Sequence, residues 1–274
     1  MVAAAGHVHQ RSGALGVGEA ILITAAGKRI GKCLAMRLAR DGYYIYLHYH
    51  TNRDEAEETL KSIRENGGDG ALVQGDLDQY SQVEELLSGC CTPDHSLRHV
   101  INNASQFIDD SLFDFTEESF ASHQNINLRA PMQLARALYN LIPDGEKGSV
   151  INIIDAKVFA LNPDFHSYTL SKFALMGATE MMAQALSPRV RVNGIAPGLT
   201  LISSTQSADN FALASHLNFI GEPLKVEDIA ATAYLLITSP SINGTTIPVD
   251  GGQKMINFTG DVVNVAKAIL KKSD

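Results

Sequence analysis

The chain has 274 residues, of which 45% are hydrophobic and 19% charged, and a formal net charge of −8 at pH 7. Its length suits one large α/β domain. No apolar run reaches the ~18 residues of a membrane span, and the acidic balance offers a nucleic-acid backbone no overall attraction, so neither a membrane nor nucleic acid is expected as a partner. Cys33, Cys90 and Cys91 fit neither a disulfide framework nor metal-ligand spacing. They predict reduced thiols in the cytoplasm and no metal site.

Residues 1–19 are rich in Ala, Gly and Val and carry His7 and His9. They lack the basic start, apolar core and cleavage site of a signal peptide and are expected to form a flexible leader. The apolar run 20–25 predicts a buried strand. Ile30, Leu34 and Leu38 recur at helical spacing and stop at Asp41-Gly42. A second strand is expected over 43–49, an acidic amphipathic helix over 51–64, and a third strand over 71–74 ending at Asp76-Leu77. Ser81 and Glu84 form a capping-box pattern for the next helix. A fourth strand begins at 99–101 and runs into Asn102-Asn103-Ala104-Ser105. A long helix over 118–141 contains Asn127 and Pro131. The fifth strand, 150–154, is followed by a helix over 166–186 and a sixth strand at 190–192. A loop over 194–223 precedes a helix at 226–238 and a last strand at 246–249. This alternation predicts a single-domain, Rossmann-like α/β fold over 20–252: a doubly wound parallel sheet with helices on both faces and ligands at the strands' carboxyl ends. The segment 253–274 has an amphipathic tail and no motif.

Two constellations carry chemistry. In the first, Thr24-Ala25-Ala26-Gly27-Lys28-Arg29-Ile30-Gly31 joins strand one to its helix, where backbone N–H groups and the helix dipole favour a pyrophosphate. The second strand ends in His48-Tyr49-His50-Thr51-Asn52-Arg53, without the acid that would take a ribose 2′-hydroxyl. With Lys28 and Arg29 nearby, that end suits an extra 2′-phosphate, so NADPH is the expected cofactor.

In the second, Asp155 ends the fifth strand, and Tyr168 and Lys172 follow at i and i+4 on one helix face. A lysine ammonium there is expected to pull the phenol toward working pH and make it a proton donor. Asn127 interrupts a helical pattern, where a polar residue costs propensity unless it has a task.

Over 20–252 the chain resembles the short-chain dehydrogenases/reductases. The resemblance rests on the Thr24–Gly31 turn, Asp76-Leu77, Asn102-Asn103-Ala104, Asn127, Tyr168-x-x-x-Lys172, Asn193-x-x-Ala196-Pro197-Gly198 and Asp250-Gly251-Gly252. It implies that Tyr168 is the acid or base, that Lys172 binds the nicotinamide ribose, and that Asn127 holds a relay water. Thr24, Lys28, Arg29, Ile30, His50, Thr51, Asp76, Leu77, Asn103, Ala104, Ser105, Pro197 and Gly198 would line the cofactor. It also implies a homotetramer packed through the two long helices.

The family ordinarily has serine where this chain has Asp155. A carboxyl suits a nitrogen heterocycle better than a simple ketone, since it can accept from an amine or relay a proton to a ring nitrogen. In this the chain is similar to pteridine and dihydromonapterin reductases, as it is in Arg29, Leu47-His48-Tyr49-His50 and Asn102 through Phe107. The resemblance implies that Phe107 stacks on a pterin or dihydrofolate-like ring, with Asp155, Tyr168 and Leu199 beside it. The alternatives are a carbonyl or 3-oxoacyl reductase and a non-catalytic NADPH-binding regulatory protein. Ala25 stands where the family has its first glycine, an extra methyl that the turn is expected to tolerate with some weakening of cofactor binding.

Overall fold

Ile21 and Ile23 point to one side of the first strand and Ala20 and Leu22 to the other, and all four are fully buried. That two-sided burial is why the strand reads as an unbroken apolar run. The computed structural model describes residues 18–90, 92–203 and 206–272. Strands β1 (Gly18–Ile23), β2 (Tyr44–Tyr49), β3 (Gly70–Gln74), β4 (His95–Asn102), β5 (Gly148–Ile153), β6 (Val190–Pro197) and β7 (Thr246–Val249) are all parallel, in the order β3-β2-β1-β4-β5-β6-β7. The order reverses between β1 and β4, so the crevice of this doubly wound, Rossmann-like sheet opens there.

Helices α1 (Arg29–Arg40), α2 (Arg53–Glu65) and α8 (Val226–Thr238) cover one face through Leu34, Leu38, Ile63, Ile229 and Leu236. On the other face lie α3 (Tyr80–Leu86), α5 (Ala130–Leu141) and the long α6 (His166–Ala185), with Val83, Leu134, Leu138 and Ala183 packed against Val150 and Val192.

Several local expectations are corrected. The helix expected over 118–141 is α4 (Glu117–Gln124) and α5 joined by a π-helical turn, Asn125–Arg129, which contains Asn127. The capping box at Ser81 does not form: α3 begins at Tyr80, with Gln79 at its N-cap, two residues before Ser81, and no side-chain cap hydrogen bond. The sixth strand runs on to Pro197, and α7 (Ala208–Ala214) lies inside the stretch expected to be loop. The tail folds as α9 (Val262–Leu270) against α7, where Asn210 Nδ2 donates to Val263 O at 3.0 Å. Most of the expected leader, with His7 and His9, and also Cys91, lie outside the described residues; Gly18 and Glu19 already belong to β1.

Candidate active site

The carboxyl ends of β1 and β4 are laced together by two side chains. Thr24 Oγ1 accepts from the backbone N–H groups of Asn103 and Ala104, both at 2.9 Å. Asn103 Nδ2 donates back to the carbonyls of Thr24 at 2.9 Å and Ala25 at 3.1 Å. Gly31 fits beneath this lacing because it has no side chain: a Cβ would collide with Ala25 O and lie 2.8 Å from Asn103 Nδ2. Ala25 itself takes φ 51°, a left-handed conformation that favours glycine.

Sequence reasoning missed His48 as a fastener of this turn. The ring is buried, Nδ1 accepts from Ala25 N at 3.1 Å, and Nε2 donates to Gly75 O at 3.0 Å. One neutral imidazole thus ties the ends of β1, β2 and β3, and burial lowers its pKa to about 4.

The first turn of α1 carries no acidic residue, and its N-cap, Lys28, is extended and makes no side-chain cap hydrogen bond. Ile30 packs on the core beneath the turn, while Lys28 and Arg29 are exposed. Lys28 Nζ pairs with Glu55 at 3.0 Å. Arg29 departs from the expected phosphate corner: its guanidinium donates to Ile202 O at 2.5 Å and Leu201 O at 3.4 Å, reaching the segment after β6. His50 and Thr51 are exposed at the end of β2, with His50 Nε2 3.8 Å from Asp76 Oδ2; Leu77 is buried beside them.

At the end of β5, Asp155 is extended and opens a 3-10 turn, Ala156–Phe159. One carboxylate oxygen accepts from Lys157 N at 2.8 Å and the other from the Tyr168 phenol at 2.7 Å. Lys172, 1% exposed, donates to Ile153 O at 2.8 Å, with its ammonium 5.8 Å from the centre of the Tyr168 ring. Asp155, Tyr168 and Lys172 therefore converge as the spacing predicts.

The expected acidity of Tyr168 is corrected. Burial, then the Asp155 carboxylate, holds the phenol well above its ordinary value. Burial also raises Asp155 and lowers Lys172 to about 8. Asp155 and Tyr168 therefore form a buried, hydrogen-bonded pair of titratable groups with Lys172 beside them.

Asn127, fully buried, braces the far wall. Its side chain accepts from Gln106 N at 2.7 Å and donates to Gln106 O at 3.0 Å and Ser171 Oγ at 2.9 Å. The π turn marks this contact, as such turns often mark functional sites.

Phe107 is 47% exposed, stacks on Phe165 at 4.6 Å, and meets the Tyr168 ring edge-on at 4.7 Å. It is a wall of the cleft and not part of the core. Ser105 is exposed beside it, its hydroxyl donating to Gln106 O at 3.3 Å.

Three further residues escaped sequence reasoning. Buried Asp110 accepts from Ser167 N at 2.8 Å, and its carbonyl accepts from His166 N at 3.0 Å, so it caps α6 beside Tyr168. His123 donates to Ser119 O at 2.7 Å and accepts from Ile108 N at 3.2 Å, anchoring the Phe107 segment. Gln253 accepts from Leu199 N at 3.0 Å and lies against Gly198, after the buried Pro197. The partners of Asp110 and Gln253 are more than fifty residues away, too distant for a local pattern to signal them, and the Ile108 contact of His123 likewise crosses from one segment to another.

Residues 19–212 match the family model described as short chain dehydrogenase. A 3-oxoacyl-[acyl-carrier-protein] reductase from Synechocystis sp. is 28% identical over 246 residues, covering 86% of this chain and 97% of the relative. FolM alternative dihydrofolate reductase 1 from Brucella suis, solved in complex with NADP, is 35% identical with a TM-score of 0.83, covering 86% of this chain and 95% of that one. Its counterpart from Brucella canis, complexed with NADP, is 34% identical with a TM-score of 0.81 over 87% and 95%. With the family model spanning most of the parallel sheet and the Asp155–Tyr168–Lys172 cluster, the chain belongs to the short-chain dehydrogenase family.

Proposed function

We propose that the protein is an NADPH-dependent reductase of a ring C=N bond in a pterin or dihydrofolate-like substrate. The observation that carries this reading is the 2.7 Å hydrogen bond from Tyr168 to Asp155, a carboxyl at the position where the family ordinarily has a hydroxyl. Structural similarity to the two Brucella alternative dihydrofolate reductases supports it.

The cradle fits a dinucleotide: the glycine under Ala25 O, the uncapped start of α1, and the Thr24–Asn103 lacing leave backbone free to approach a pyrophosphate. Thr24, Lys28, Ile30, Asp76, Leu77, Asn103, Ala104, Ser105, Pro197 and Gly198 would hold the cofactor, with His50 and Thr51 at the 2′-phosphate. Arg29 would lie across it toward residues 201 and 202. When bound, NADPH supplies the hydride, which goes to the ring carbon.

Tyr168 and Asp155 then supply one proton to the adjacent nitrogen, so the C=N bond is reduced by a hydride and a proton together. Lys172 would bind the nicotinamide ribose and, once charged, help Tyr168 release its proton. Asn127 would hold the water that refills the dyad. Phe107 would stack on the flat substrate, with Leu199 across the cleft.

A ketone or 3-oxoacyl substrate is the second reading, favoured by the Synechocystis relative. The test is NADPH oxidation dependent on dihydrofolate or dihydrobiopterin, followed spectrophotometrically and lost in Tyr168→Phe and Asp155→Ala. Turnover of 3-oxoacyl substrates with none of any pterin refutes the first reading. A homotetramer is the assembly proposed, because α5 and α6 leave Met132, Leu141, Phe173 and Met181 at least 40% exposed. Among the described residues no helix is long and apolar enough to cross a membrane, and no cluster of His, Cys, Asp or Glu fits a metal.

A further inference from the structure

Lys157 and Asp261 are 104 residues apart in sequence and meet in an ion pair of 3.0 Å, with side chains 7% and 17% exposed. Asp261 begins α9. One of its carboxylate oxygens accepts from Val263 N at 3.0 Å and the other takes Lys157. Its backbone N–H donates to Asp164 Oδ2 at 2.8 Å, which also accepts from Asn264 Nδ2 at 2.9 Å.

The C-terminal segment therefore grips the active site at two points. Through Lys157 it holds the turn that Asp155 opens, and through Asp164 it holds the residue before Phe165. Phe165 in turn stacks on Phe107 and lies 4.9 Å beneath the Lys157 ammonium.

The pair also lies in the field of the acid dyad. The Lys157 ammonium favours ionised Asp155, whereas Asp261 opposes ionisation of both Asp155 and Tyr168. From α6, Lys172 faces the dyad as well, buried against Ile153 O. While paired, Lys157 and Asp261 offset each other at Asp155. Loss of either partner exposes the dyad to the other's full charge.

We propose that Asp261 and Lys157 are positioning residues of the reductase site: the C-terminal segment, through this ion pair, fixes the Asp155 turn and keeps an unpaired charge away from the proton-donating carboxyl. The proposal rests on the reading of Asp155 as proton donor. A simple structural staple would be broken alike by loss of either partner, whereas the two charges act on Asp155 with opposite sign.

The test follows the Asp155 carboxyl with and without turnover. Its ¹³C resonance in aspartate-labelled protein is assigned by its loss in Asp155→Asn and titrated against pH; in parallel, kcat/KM for NADPH-dependent dihydropterin reduction is measured across the same range. Asp261→Asn keeps a good N-cap for α9 but leaves Lys157 unpaired. The Asp155 midpoint then falls, and the alkaline limb of kcat/KM moves to lower pH, losing about tenfold in rate on that limb per pH unit of displacement.

Lys157→Met leaves Asp261 unpaired and moves both midpoints upward. The double variant Lys157→Met/Asp261→Asn returns them toward wild type. Lys157→Arg and Asp261→Glu keep both charges and hold the wild-type midpoints. Equal midpoints in all the variants, or shifts of the same sign in both neutral single variants, overturn the proposal. Opposite shifts in the NMR titration of a protein that reduces no pterin leave the pair's hold on the Asp155 carboxyl standing and refute the pterin reading.

Discussion

Asp155 Oδ2 accepts the Tyr168 phenol at 2.7 Å, so the two side chains hold one proton between them at the end of β5. Burial raises the pKa of both groups; the Asp155 carboxylate further disfavours ionisation of Tyr168, while the Tyr168 hydrogen bond favours ionised Asp155, so the two titrate as a coupled pair. Removing either half removes the proton source. Tyr168→Phe and Asp155→Ala are each expected to lower kcat/KM for dihydropterin reduction by roughly 10²–10⁴-fold, the usual range for loss of general acid catalysis. Because the acid must be protonated, wild-type activity falls as pH rises through the dyad's midpoint. Steady-state rates with isotopically labelled NADPH check that the chemical step is the one slowed.

The identity of residue 155 also separates the two substrate readings. A serine hydroxyl at the same position can orient a carbonyl but cannot relay a carboxyl proton to a ring nitrogen. Asp155→Ser is expected to lose dihydropterin reduction by at least about 10²-fold and to gain measurable turnover of small ketones. Parallel acceptor assays on the two proteins decide it; a variant that reduces dihydropterins at the wild-type rate removes Asp155 from the mechanism.

Ala25 holds φ 51° where glycine would be unstrained. A left-handed alanine costs about 1 kcal/mol relative to glycine in that conformation, and in the proposed cofactor pose its methyl would face the pyrophosphate. Ala25→Gly is expected to raise stability by up to about 1 kcal/mol, less the greater flexibility glycine gives the unfolded chain. It is also expected to tighten NADPH binding severalfold. Urea unfolding and fluorescence titration with NADPH measure the two effects separately.

Much of this site was legible because each signal is local. A strand buried on both faces is an apolar run, so β1 and β5 and the acid ending β5 stand out. An i,i+4 pair on a helix shares a face, so Tyr168 and Lys172 do too. Burial and charge balance are not local, and for that reason the spacing gave the wrong direction for Tyr168. The π turn at Asn127 is similarly hidden: Asn127 interrupts the helical pattern, but nothing in Asn125 through Arg129 marks a widened turn, which goes with Asn127 bonding to Gln106 and Ser171. His48, Asp110, Gln253 and Asp261 act through partners far away in sequence. No pattern along the chain marks them.

His48 ties stability to pH. Its folded pKa is about 4 against 6.5 in an exposed chain, so the unfolded state binds the proton more readily. The sign follows from linkage: the contribution is fully present above pH 6.5, declines as pH falls, and is gone below about 4. The difference corresponds to about 3 kcal/mol. His99, buried and likewise lowered, adds in the same direction. Thermal unfolding from pH 7.5 to 4 is expected to fall steeply for the wild type and less steeply for His48→Gln. Parallel curves would show that His48 is protonated equally in both states.

Asp110 joins the Phe107 segment to the start of α6. Its carboxylate accepts from Ser167 N at 2.8 Å and Ser119 Oγ at 3.2 Å, while its carbonyl accepts from His166 N at 3.0 Å. Phe165, the N-cap of α6, makes no side-chain cap hydrogen bond, so this remote aspartate does the capping. Asp110→Ala is expected to destabilise the fold by about 1–2 kcal/mol, the cost of a lost cap. Because Tyr168 sits in that first turn, small displacements there reach the reacting groups, and kcat is expected to fall by roughly tenfold with little change in the KM for NADPH. Asp110→Asn keeps a cap acceptor and is expected to recover most of both losses. Should Asp110→Ala lose stability while keeping full kcat, the cap supports the helix without positioning the phenol.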